Sequence, residues 1–314
     1  MFMIWRCNIM EKNIENILIK MPQDLEKTFR ALPDAIINNA EEFRFRIGQP
    51  ISIISLNEEY HISYAVDYEM LNNLINRLLN YSYYAYETEL ANGYITIEGG
   101  HRVGVCGKVV LDKGNIRLIK DISSLNIRCS REVIGASEEC IKNIVKADGS
   151  IHNTLIVSPP KCGKTTLLRD LIRNLSNKGY KVGVCDERSE IAGSYKGNTC
   201  YDLGPRTDIL DGCPKEQGII MLIRAMSPHI IATDEIGKRA DIYAIEAAMC
   251  AGINLITTIH GNSYEDILNS QIGDLVKRGI FSCIIFLSNV PKTGSIREVL
   301  YAKQHNGDNS NNVM

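Results

Sequence analysis

Leu155 to Leu168, LIVSPPKCGKTTLL, constrains this chain more than any other stretch. An apolar run stops at a tight loop, and the loop ends in Gly163-Lys164-Thr165 ahead of further apolar residues. The pattern reads as a buried strand, a phosphate-binding loop and the start of a helix. Backbone N–H groups in such a loop converge on anionic oxygens, and the positive end of the helix points at them. The loop runs from Ser158 through Pro159, Pro160, Lys161, Cys162 and Gly163 to Lys164, Thr165 and Thr166. Lys164 is expected to neutralise the β- and γ-phosphates of a nucleotide and the Thr165 hydroxyl to ligate Mg²⁺. Ser158 stands where the pattern has its first glycine, and Pro159 and Pro160 stiffen the approach instead.

A chain that hydrolyses the bound nucleotide needs a second strand end carrying acids. His229 to Thr233 is a short apolar run followed at once by Asp234 and Glu235. In an open α/β sheet, ligands bind at the carboxyl ends of such strands. Asp234 suits a magnesium-bound water, and Glu235 suits the base that polarises the attacking water. An isolated Asp-Glu pair is usually an exposed turn. Its place after an apolar strand, downstream of a phosphate loop, favours the functional reading.

The 314 residues, 45% of them hydrophobic, suffice for one large domain or two ordinary ones. With 35 basic and 37 acidic residues there is no global basic field, so nucleic acid is not the expected partner. The ten cysteines are scattered without paired metal spacing and read as free thiols in a reducing cytoplasm. The opening MFMIWRCNIM is apolar but too short to span a bilayer, and Met10 is a second candidate start. The tail from Gln304 is rich in Asn and Gly and is expected to be disordered.

Residues 14–40 read as helical, with Pro22 and Pro33 each opening a new helix. Glu42 to Ile47 alternates, placing Phe43, Phe45 and Ile47 on one face and Arg44 and Arg46 on the other. The arginines read as a solvated sheet face, with a basic surface meeting another subunit or a phosphate as the alternative. Tyr68 to Tyr81 reads as an amphipathic helix, and the tyrosines at 81, 83, 84 and 86 as a packing cluster. Tyr94–Glu98, His101–Gly107 and Leu125–Arg128 read as strands, followed by a helical connector over 132–150. Beyond it, strand and helix alternate, which predicts a mostly parallel, doubly covered sheet. Val182 to Cys185 delivers Asp186, Glu187 and Glu190 to the same edge as the other acids. Tyr201 to Pro214 reads as a long functional loop, 264–278 as one helix, and Asn254 to Ile259 as a strand ending at His260.

SPPKCGKTT, CDERSE, IRAMSPHIIATDEIGKRADIYAIEAAMCAG and ITTIHG occur in the order found in secretion ATPases. The second half of the chain resembles these hexameric motors of type II and type IV secretion and of pilus systems. EFRFRIGQP, GYITIEGGHRVGVCGKVV, SLNIRCSREV and GPRTDILDGCPKEQG extend the resemblance to the stage III sporulation protein AA family of endospore-forming bacteria, over residues 20–302. The resemblance implies a RecA-like ATPase domain over 150–303. A smaller α+β domain over 21–140, an extension over 1–20 and a tail over 304–314 complete the expected division.

The resemblance also implies roles. Asp186, Glu187 and Glu190 would organise magnesium and the attacking water, with Asp186 and Asp234 in the metal set. His260 would sense the γ-phosphate or a neighbouring subunit. Arg44, Arg46, Arg102 or Arg128 would reach a neighbour's nucleotide, Arg102 and Arg128 being the leading catalytic candidates. A homo-oligomeric ring, most simply a hexamer, would hydrolyse ATP with Mg²⁺. It would serve a membrane-embedded sporulation complex from the cytoplasmic, mother-cell side. Two alternatives are a nucleic-acid-remodelling ATPase, which the charge balance disfavours, and an ATP-dependent scaffold with little turnover. Cys162, beside Lys164 and a helix N-terminus, is expected to be a reactive thiol that ATP protects.

Overall fold

The computed structural model describes residues 14–195 and 197–302. The chain forms two compact units, one of residues 1–132 with 193–201 and one of 133–192 with 202–314. Expectations for residues 1–13, including the second start at Met10, and for the tail lie outside the described residues.

The first unit begins with a helical turn at 14–18 whose Ile14, Ile17 and Leu18 enter the core, so residues expected in an extension pack with the domain. Helix α1 (Gln23–Arg30) starts after Pro22 and buries Leu25 and Phe29. Strands β1 (Ala40–Arg46), β2 (Pro50–Ser55) and β3 (Glu58–Ala65) precede helix α2 (Tyr68–Leu78). The carboxylate of Asp67 caps α2 by accepting from the Met70 N–H at 2.7 Å. Its Met70, Leu71, Leu74, Ile75 and Leu78 form the buried stripe. Strands β4 (Tyr94–Ile97), β5 (His101–Asp112) and β6 (Asn115–Arg128) complete an antiparallel sheet in the order β3-β2-β1-β6-β5-β4.

Phe43 and Phe45 of β1 are fully buried, with Phe29 edge-on to Phe43 at 5.2 Å. Ile47, expected on the same face, is exposed because β1 stops at Arg46 and the chain turns through Gly48. The β5–β6 hairpin runs far beyond its recognised ends. Val109, Leu111 and Ile116 near its tip are exposed, so no burial alternation marks it. The tyrosines are not one packing cluster. Tyr86 is buried, whereas Tyr81 and Tyr84 are exposed and Tyr83 with Tyr84 lines an open cleft. Residues 193–201 were not expected in this unit. Tyr201 is buried there against Ser130, and Asn80 donates to the Tyr195 hydroxyl at 2.6 Å.

The second unit holds β7 (Thr154–Ser158), α3 (Lys164–Asn177), β8 (Val182–Asp186), β9 (Thr207–Asp211), α4 (Lys215–Met226), β10 (Ile230–Thr233), α5 (Arg239–Cys250), β11 (Asn254–His260), β12 (Cys283–Ser288) and β13 (Ser295–Tyr301). Its sheet order is β13-β12-β7-β11-β10-β8-β9, and every pairing is parallel except β12 with β13. The sheet is covered on both faces, as expected. Ile156 of β7 packs with Leu168 and Leu171 of α3, and its neighbours Leu155 and Val157 pack on the other face with Ile219 of α4 and Ala244 of α5.

Three expectations change. The stretch 201–214 contains edge strand β9, whose half-exposed residues and flanking Gly204 and Gly212 hid it. The helix expected over 264–278 is two helices, Tyr264–Leu268 and Gly273–Lys277. The connector over 132–150 has only one helical turn, Ile141–Ile144.

A buried carboxylate organises the start of this unit. Asp170 of α3 accepts from the Gly135 and Ser137 N–H groups at 3.1 and 2.8 Å, from the Ser137 hydroxyl at 2.8 Å and from Arg173 at 2.7 Å. Burial pushes its carboxyl up, but these hydrogen bonds outweigh burial and hold it below the usual range. Asp170→Asn is expected to cost about 3 kcal/mol in urea unfolding at neutral pH, since it leaves Arg173 without its charge partner. The sign follows from linkage: a depressed carboxylate stabilises above its unfolded pKa, and the benefit is lost as pH falls through the folded value. The gap between wild type and variant should therefore narrow below about pH 4.

Candidate functional site

Parallel strands β7, β11, β10 and β8 are neighbours and end at one sheet edge. His260 lies opposite Ser158, and Thr233 opposite both Thr257 and Cys185. This register brings the phosphate loop, His260, the Asp234-Glu235 pair and the acidic segment from Asp186 to one place. Each of these groups follows a short strand whose apolar residues are buried.

Within the loop Lys161 and Gly163 have φ of +61° and +80°. The left-handed φ favours glycine at 163, and a Cβ there would also sit tightly against Thr293 Cγ2 at 3.2 Å. Ser158 ends β7 without a left-handed φ, which is why a side chain is tolerated there. Its hydroxyl donates to the Pro159 carbonyl at 2.8 Å. Thr165 and Thr166 are half-buried in the first turn of α3. Pro159 is half-buried, and Pro160 and Lys161 are exposed. Cys162 is 2% exposed, so the expected reactive thiol is closed to reagents in this state. A cavity of about 380 Å³ adjoins the loop, lined in part by Val133, Gly135, Gly163, Thr166, Lys292 and Gly294.

Lys164 is buried and donates to the Ser158 and Pro159 carbonyls at 2.9 and 3.1 Å. It also contacts His260 Nδ1 at 2.9 Å, and His260 Nε2 lies 3.1 Å from Glu235 Oε1. An ammonium only donates, so Nδ1 accepts and Nε2 carries its proton toward Glu235. Burial pulls the Lys164 pKa down, opposed by the charge of Glu235.

Asp234 is 5% exposed, and its Oδ1 is buried with no hydrogen-bond partner. Lys215, the first residue of α4, lies 3.1 Å from that atom as an ion pair and 2.6 Å from Glu187 Oε2. Glu187 Oε1 takes a second ion pair from Lys238 at 2.9 Å. Burial pushes Glu187 up, but the two lysines prevail and hold its carboxyl below the usual range.

Asp186, expected in the metal set, has both carboxylate oxygens engaged by backbone N–H groups. It is fully buried, and its two oxygens accept the N–H groups of Glu190, Ile191 and Ala192 at 2.9, 2.9 and 2.8 Å, so it caps the turn that carries the acidic segment. Arg169 of α3 clamps the same turn by donating to the Glu190 and Ile191 carbonyls at 2.8 and 2.9 Å. The Glu190 side chain is half-exposed, and its charge acts on Asp234.

In the first unit the register puts the candidate arginines on one face. Arg44 and Arg46 point away from Phe43 and Phe45, Arg128 lies opposite Glu42, and Arg102 lies opposite Arg128. Arg44 pairs with Glu42 at 2.7 Å, and the Arg102 guanidinium sits 3.8 Å from the Tyr94 ring centre. Every cysteine among the described residues is unbridged. No helix among them is long and apolar enough to cross a membrane.

Sequence reasoning missed Lys215, Arg169, Asp170 and Lys238. The one available signal for Lys215 was its position after Pro214, at the end of a stretch already marked as functional.

The fold is similar to that of solved ATPases, among them a pilus motor. The pilus retraction motor PilT with bound ADP aligns with a TM-score of 0.56 at 14% identity, covering 82% of this chain and 77% of that one. The Legionella pneumophila ATPase DotB aligns with a TM-score of 0.52 at 17% identity, covering 79% and 72%. At these identities the likeness is one of fold. The family described as Sporulation stage III, protein AA matches residues 11–306. Stage III sporulation protein AA of Bacillus subtilis (strain 168) is 38% identical over 293 residues, 91% of this chain and 94% of that protein. The chain belongs to the stage III sporulation protein AA family.

Proposed function

We propose that this chain is a Mg²⁺-dependent ATPase with a RecA-like motor domain. It works as a homo-oligomeric ring, most simply a hexamer, that powers or assembles a membrane-embedded, secretion-like complex during endospore formation. Its place is the cytoplasmic side of that membrane, in the mother cell. The observation that carries the reading is the contiguous chain Lys164–His260–Glu235 beside the buried, un-hydrogen-bonded Asp234 Oδ1.

The residues have separable duties. Lys164 is held by loop carbonyls and His260, and phosphate oxygens would compete for its ammonium. Glu235, oriented by His260 Nε2–H, is set to accept the proton of a hydrolytic water. The donor set fits a magnesium ion held by the Thr165 hydroxyl and, through a water, by Asp234 Oδ1, where the ion would offset phosphate charge. Glu187 and Glu190 line the approach to Asp234. Preference for ATP over GTP follows the family likeness.

Lys164→Ala is expected to weaken ATP binding about ten- to a hundred-fold, the range for hydrogen bonds to a charged group. Equilibrium titration with a fluorescent ATP analogue measures it. Unchanged affinity would remove Lys164 from the phosphate site.

A further inference from the structure

Lys215 has no part in the scheme above, yet its position is costly. It is 5% exposed, and burial disfavours its charge. It is also the first residue of α4, where the positive end of the helix dipole disfavours a cation. Only its partners offset these effects: Glu187 Oε2 by a 2.6 Å hydrogen bond and Asp234 Oδ1 by charge at 3.1 Å. Lys238 also neutralises Glu187, but it is 64% exposed and its pairing with Glu187 is screened by solvent. The buried positive charge at Asp234 therefore comes from Lys215.

We propose that Lys215 is the resident counter-ion of the acidic edge, standing in charge where a divalent ion would otherwise bind at Asp234 and Glu187, so that the site takes up metal only together with nucleotide phosphates. This deepens the nucleotide-site reading and rests on it. A divalent ion arriving alone meets a fixed positive charge within a few ångströms of its carboxylate. An ion arriving with a polyphosphate brings compensating negative charge with it. The buried Oδ1 of Asp234 is paired with Lys215, and a metal-bound water would have to share it with that ammonium. Lys215 is thus a positioning and gating residue that acts through Asp234.

The test uses the full chain as wild type, Lys215→Met, Lys215→Gln and Lys215→Arg. Free Mn²⁺ is followed by electron paramagnetic resonance without nucleotide, and thermal midpoints are read with and without Mg²⁺. Loss of one unit charge beside the carboxylates should tighten Mn²⁺ binding by at least about tenfold in the Met and Gln variants. Their thermal midpoints should become Mg²⁺-dependent. Wild type and Lys215→Arg should show neither effect, and adding Asp234→Asn should cancel the gain. The Gln variant keeps a donor for Glu187 and serves if the Met variant fails to fold. Mn²⁺ binding in both neutral variants no tighter than in wild type would overturn the proposal. A parallel titration with ADP separates the two readings, because loss of nucleotide binding in wild type itself would count against the site assignment instead.

Discussion

Glu235→Gln is expected to lower steady-state ATP turnover by about 10²- to 10⁴-fold, the usual contribution of a positioned general base. The amide oxygen can still accept from His260 Nε2, so the chain to Lys164 keeps its geometry while the proton acceptor is lost. Nucleotide affinity should change little, and the variant should retain unhydrolysed ATP through gel filtration. The pattern differs from that of Lys164→Ala, where binding itself weakens. Single-turnover measurements with radiolabelled ATP distinguish slow chemistry from slow product release. Wild-type turnover in the variant would remove Glu235 from the base role.

The second large effect concerns the arginine face of the first unit. Arg102 and Arg128 stand directly opposite each other on β5 and β6, and like charges so placed cost stability. Glu42, opposite Arg128, and the Tyr94 ring beneath Arg102 relieve part of that cost. Such a pairing is better explained by use than by folding. If one of the two completes a neighbour's site, its replacement by alanine should reduce turnover by about 10³- to 10⁵-fold with ATP binding intact. Activity per subunit in the wild type should then rise with protein concentration as rings assemble. Activity that is flat with concentration and indifferent to both substitutions would exclude these two residues as trans-acting groups. Arg46 would be the next candidate, since Arg44 is engaged by Glu42.

What could be read from the sequence follows burial. The phosphate loop, the Asp234-Glu235 pair and His260 were legible because each terminates a strand buried on both faces, and an apolar run that stops abruptly is a strong signal. Strand β9 and the outer β5–β6 hairpin were not, because both faces of these strands are partly or wholly exposed and they lack the one-face-buried alternation by which strands are recognised. Arg169, Asp170 and Lys215 were missed for the opposite reason. They are charged, so pattern reading assigns them to solvent, yet all are buried and satisfied by partners distant in sequence. Asp186 looked like its neighbour Glu187. Only the folded turn reveals that its oxygens serve backbone N–H groups. The shared face of the four arginines needed the register between β5, β6 and β1, which alternation within one strand cannot supply.

Residues 193–201 give the chain an unusual connectivity. The backbone passes between the two units after residue 132, again after 192 and once more after 201. No single peptide-bond cleavage can therefore release one unit from the other. A fragment cut at 132 would carry away the parallel sheet of the second unit together with a segment that belongs to its former neighbour. The two halves are thus not interchangeable modules joined by a linker: any recombination or truncation of this chain has to respect three crossings, one of them directly at the end of the turn that Asp186 holds closed.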